Sequence, residues 1–196
     1  MVLGLFGRQK PAPPVVDSSV SEAEIWAESA PDPQTIVFDG LTATQRIVGK
    51  IVFGGRLSDA LNAREPLPIT NVWMATPGES SFVPVPICGS VDPYEFQLVV
   101  LGPDSLPGFS PEQRNARRIH KISYLVEMDL DPYQVAGTIW LNAGVSIESL
   151  SGRSTKLYLP VTEALVMLGN QVVDLRGSDA VLVNLFNLRK IRELAE

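Results

Sequence analysis

The sequence predicts a mainly β protein of two tandem small barrel- or sandwich-like units, with short helical turns and a short C-terminal helix. Three observations predict it. Apolar residues recur with a period of two over short runs bounded by Gly, Pro, Asn and Asp, the pattern of half-buried strands between turns. The runs are brief and turn residues are frequent, which favours small barrels and sandwiches over helical layers. A strand-plus-turn unit around Arg56-Leu57-Ser58-Asp59-Ala60-Leu61-Asn62 returns in weaker form about 88 residues later.

Composition narrows the function classes. The 196 residues are 45% hydrophobic and 19% charged, enough to bury a core in one or two domains. A net charge of -6 disfavours sequence-independent nucleic-acid binding, which needs phosphate neutralisation, so no nucleic-acid partner is expected. Cys88 is the one cysteine and His120 the one histidine, so neither a disulfide nor a multi-cysteine metal site can form within the chain. The expectation is a chain with no cofactor, no metal and no catalytic residues. No apolar run approaches the ~20 residues of a membrane helix. The short apolar start precedes its positive charges, the reverse of a secretory signal. A cytoplasmic location is therefore expected.

Residues 1–34 read as a Pro/Ser-rich tail, punctuated by Pro11, Pro13, Pro14, Pro31 and Pro33. Leu3, Leu5 and Phe6, backed by Arg8 and Lys10, form a candidate docking cluster for a protein or, weakly, a membrane surface. Residues 35–103 form the first β unit. Thr35 to Phe38 is a strand. Gln45 to Phe53 is the clearest one, with Ile47, Gly49, Ile51 and Phe53 on one face. A glycine on that apolar face predicts a bulge or the close approach of another backbone. Gly54-Gly55 ends the strand. Ser58 is placed to cap a single helical turn whose Leu57 and Leu61 point into the core, with Asp59 favourable to the helix dipole. Arg56 and Asp59 are the exposed candidates for a binding patch on this plug. Leu67 to Met74, an edge segment around Pro84 and Pro86, and Phe96 to Leu101 supply further strands.

Residues 104–121 read as a linker with a short basic helix, capped by Ser110-Pro111 with Gln113 at the capping-box position. It carries Arg114, Arg117 and Arg118. Residues 122–196 form the second β unit. Leu157 to Leu168 is its longest apolar run. Leu185, Leu188, Ile191 and Leu194 recur every three residues, which predicts the C-terminal helix.

Sliding the chain on itself aligns Thr35–Asp39 with Ser123–Glu127, and Val48–Ile51 with Ala136–Ile139. After a one-residue gap, Gly55, Asp59 and Leu61 align with Gly144, Glu148 and Leu150. After three more, Leu67-Pro68-Ile69-Thr70 aligns with Leu159-Pro160-Val161-Thr162. The order is kept and the gaps fall in turns, which points to duplication.

The Gly-containing strand Val48–Ile51, the stretch Arg56–Asn62 and the strand Leu67–Val72 resemble a family of uncharacterised bacterial small β domains with an Arg-Leu-Ser-Asp-x-Leu-Asn motif. The second copy keeps the family's closing strand as Val181-Leu182-Val183-Asn184 but replaces the motif with Ser146-Ile147-Glu148-Ser149-Leu150. The resemblance implies an interaction or scaffold domain and brings no catalytic residues. Arg114 and Arg118 have a spacing similar to the paired arginines of cyclic-dinucleotide-binding PilZ domains. The Asp/Asn-x-Ser-x-x-Gly motif of those domains is missing from the sequence. The expected function is a non-enzymatic structural or protein-interaction protein, acting on a protein partner or by self-association. The alternative is a regulatory binder of a small anionic ligand such as a nucleotide.

Overall fold

The computed structural model describes residues 34–79, 81–86, 89–102, 121–151 and 155–194. The period-two runs become strands. The first half contains β1 (Gln34–Leu41), β2 (Arg46–Phe53), helix α1 (Leu57–Asn62), β3 (Leu67–Ala75), β4 (Val83–Val85), β5 (Ser90–Val91), a 3-10 turn (Pro93–Glu95) and β6 (Leu98–Val100). The second half contains β7 (Lys121–Leu130), β8 (Tyr133–Asn142), a 3-10 turn (Ile147–Ser151), β9 (Tyr158–Leu168), β10 (Gln171–Val172) and β11 (Ala180–Asn184). A 3-10 turn (Leu185–Asn187) and β12 (Lys190–Glu193) complete it.

The strands make one antiparallel sheet that does not close on itself. Its order is β12-β7-β8-β9-β11-β6-β1-β2-β3-β4, with β10 beside β9 and β5 beside β3. All described residues belong to one compact unit.

The pairing repeats between the halves. Thr35 faces Val52 across β1 and β2, and Ser123, 88 positions on, faces Trp140 across β7 and β8. The β2–β3 register slips between Val48 and Lys50, and the β8–β9 register between Ala136 and Thr138. Each slip centres on the expected inward glycine, Gly49 or Gly137. A Cβ on Gly49 would lie 2.7 Å from the Ile69 side chain; one on Gly137 would lie 2.6 Å from Val161 and 2.8 Å from the Thr162 carbonyl. Opposite each bulge a non-glycine residue takes the left-handed conformation, Asn71 at φ 51° and Glu163 at φ 54°. The turns after β5 and β11 match as well. The Asp92 side chain accepts from the Tyr94 N–H, and Asn184 accepts from Phe186.

Two cores lie along the sheet. Phe38, Ile51, Leu57, Leu61 and Phe96 fill the first, and Val126, Met128, Tyr133, Ile139 and Val161 the second. Their seam is β6 against β11. Both strands are buried on both faces, so alternate residues serve different cores: Val99 and Leu182 the first, Leu98, Val100, Val181 and Val183 the second.

The C-terminal helix does not form. Leu185–Asn187 is a 3-10 turn, and the chain then runs as β12 along β7. The Arg189 N–H donates to the Asp129 carbonyl and the Leu194 N–H to that of Leu125. A helix this short is marginal alone, and the open edge of β7 offers it backbone partners instead. The helical turn after Gly55 does form, but its N-cap is Arg56, with no side-chain capping bond; Ser58 lies within the helix. No helix of the described residues is long and apolar enough to cross a membrane.

Candidate functional site

Helix α1 is a plug. Leu57 and Leu61, four apart, are fully buried, while Asp59 is exposed and Arg56 half-buried. Arg56 and Asp59 lie one turn apart on the plug, and the Asp59 N–H donates to the Arg56 carbonyl. Asn62 ties the plug down. Its Oδ1 accepts from the Leu157 and Tyr158 N–H groups at 2.7 and 2.8 Å. Its Nδ2 donates to the Ser58 and Tyr158 carbonyls. The asparagine thus joins the first half's plug to the start of β9 in the second half, and its role is architectural. Arg114, Arg117, Arg118, Leu3, Leu5, Phe6, Cys88 and His120 lie outside the described residues.

A buried charged pair escapes a reading of the sequence alone. The alternation of β2 puts Arg46 on the polar face with Lys50, yet Arg46 is 4% exposed. Its Nε and Nη2 donate to the two carboxylate oxygens of Asp39 at 2.8 and 2.7 Å, and its Nη1 donates to the Asp174 carbonyl. Burial works against the Arg46 charge, but the hydrogen bond and charge of Asp39 outweigh it and hold the guanidinium above its ordinary value. Arg176 approaches Asp39 at 3.7 Å and stacks over Phe82. Tyr133 donates to the Thr42 carbonyl; burial pushes its hydroxyl up to about 12 against the opposing charge of Arg46. Each polar group here has a protein partner. The readable signal is an aspartate and an arginine on two strands joined by a four-residue turn.

Glu127 pairs with Arg192 and Asp131 with Arg189. Among the described residues, no group of three His, Cys, Asp or Glu side chains is placed to hold a metal ion.

A concavity lies on the outer face of the first half. An open groove of ≈ 860 Å³ runs over β1, β2, β3 and β4, lined by Val37, Val48, Lys50, Asn71, Trp73 and Pro84 among others. The bulge at Gly49 lies within it, and proline-bearing β4 forms one wall beside β3. Lys50 is the charged group among its described lining residues. The outer face of the second half matches it position for position. Leu125 stands for Val37, Ala136 for Val48, Thr138 for Lys50, Glu163 for Asn71 and Leu165 for Trp73. Val37 and Trp73 are 47% and 45% exposed, Leu125 and Leu165 42% and 48%.

Comparison with protein-family models, curated proteins and solved structures gives no match.

Proposed function

We propose that the protein is a non-enzymatic interaction protein, built from two copies of one small β domain of the type the Arg56–Asn62 motif resembles, with residues 1–34 as a docking tail. The repeated register, the paired bulges and the two left-handed residues support the two-copy reading. The observation that carries the function is the matched pair of outward apolar positions, Val37 with Trp73 and Leu125 with Leu165. A core does not need these residues, and keeping both pairs exposed favours a surface that meets another protein.

The test is affinity capture from cells of the source organism, with intact chain, Trp73→Asp, Leu165→Asp and a truncation lacking residues 1–34. Binding through the outer faces predicts that a partner held by the intact chain is lost from the two aspartate variants while their circular dichroism is unchanged. Equal recovery by both would remove the faces from the reading. Equal recovery by the truncation would remove the tail.

A further inference from the structure

The two outer faces agree in their apolar residues and differ in their charge. On the first, Val37, Val48 and Trp73 stand beside Lys50 and Asn71. On the second, Leu125, Ala136 and Leu165 hold the same register positions beside Thr138 and Glu163. A lysine and an asparagine on one face therefore stand where a threonine and a glutamate stand on the other. Lys50 is exposed, and so is Glu163, whose carboxylate accepts from the Thr138 hydroxyl at 2.9 Å. Neither makes an ion pair among the described residues. Other charges on these strands are matched within the chain. Arg46 holds Asp39, Arg192 holds Glu127, and Lys190 faces Asp129 across β12 and β7.

That difference decides which faces can meet. The first face packed on a second copy of itself would place two lysines, Lys50 of each chain, in one contact. The second face packed on itself would place two glutamates there. Unlike faces bring Lys50 to Glu163. Like charges in a contact oppose binding, whereas opposite charges favour it and fix the partner. The exposed apolar residues supply the area to be covered, sheet face on sheet face as in paired β-sheets.

We propose that the first-half outer face of one chain packs on the second-half outer face of another, with Lys50 meeting Glu163. This rests on the outer-face reading above and names the partner as a second copy of the chain. Two different patches meet, so assembly runs head to tail, closing where the rotation permits and growing otherwise.

Light scattering over a concentration series tests it on the full chain. The wild type is expected to exceed the chain mass, and the more so as concentration rises. Trp73→Asp is expected to stay at the chain mass, because the first face loses its aromatic anchor. Lys50→Glu and Glu163→Lys each reverse one exposed charge, and each is expected to weaken assembly by roughly tenfold or more. The double variant Lys50→Glu/Glu163→Lys is expected to regain it, as is an equimolar mixture of the two single variants, because opposite charges meet again in both. Lys50→Gln and Glu163→Gln, the milder changes, are expected to weaken assembly less than the reversals. Circular dichroism is expected to be unchanged throughout. A wild type at the chain mass at every concentration overturns the proposal. So does assembly that persists in Trp73→Asp or in either reversal, or that fails to return in the double variant. An intact chain that stays monomeric, yet loses a captured protein on Trp73→Asp, would sink the self-pairing and leave the outer-face reading standing.

Discussion

Asp39 and Arg46 are a costly pair to separate. A fully paired buried ion pair adds little net stability, but removing one member strands the other charge, typically at about 3–5 kcal/mol. Arg46→Leu is expected to lower the unfolding free energy measured in urea by that order, and Asp39→Leu/Arg46→Leu to recover most of the loss. Nearby Tyr133 sets an alkaline limit. Burial raises its folded pKa from the ordinary value of about 10 to about 12, and burial raises Tyr158 as well. A group raised in the folded state lends stability that is complete below the unfolded pKa and is lost as pH climbs through the folded one. Stability is therefore expected to be flat through neutral pH and to fall from about pH 10 toward 12. Tyr133→Phe is expected to make that fall shallower, as read by denaturant midpoints at each pH. Arg46 has a local sign in Asp39, seven positions before it, but Tyr133 has none, because its partner Thr42 lies 91 positions away.

Strands declare themselves when their own residues decide the outcome. Ile47, Gly49, Ile51 and Phe53 announce β2 and its bulge, because the pleat and the missing Cβ are local facts. Leu157 to Leu168 announces β9 for the same reason. The C-terminus misleads because a spacing of three fits a helix, while the edge of β7 that captures it lies some sixty positions away. The outer groove is invisible in sequence, since its lining comes from four separate strands. The bulges also yield a comparison. Gly49→Ala meets mainly the Ile69 side chain, with the Thr70 carbonyl at 3.0 Å. Gly137→Ala meets the Thr162 carbonyl at 2.8 Å and the Ala164 Cα at 3.2 Å, which move only with the backbone. Both are expected to destabilise by about 1–3 kcal/mol, Gly137→Ala the more, measured by chemical denaturation.

Across the whole molecule the halves trade buried residues. Tyr158 and Leu182 fill the first core, while Leu41, Leu98 and Val100 fill the second. Matching stretches about 88 residues apart are legible in the sequence, but this exchange is not, because an alignment shows which residues match and not which touch. Sharing β6 and β11 predicts one cooperative unfolding transition. Trp73 reports on the first half and Trp140 on the second, and variants keeping either as the sole tryptophan are expected to share one denaturant midpoint. The exchange also sets a timetable for synthesis. Ribosomes add roughly 5–20 residues per second. Leu182 emerges 81 residues after Leu101, the last first-half residue of its core. The first half therefore waits about 4–16 s with one wall missing before its core can seal. During that interval the edge of β6 away from β1 lacks its partner strand. A message truncated after residue 102 would leave that edge permanently bare, a substrate for chaperones rather than a finished domain.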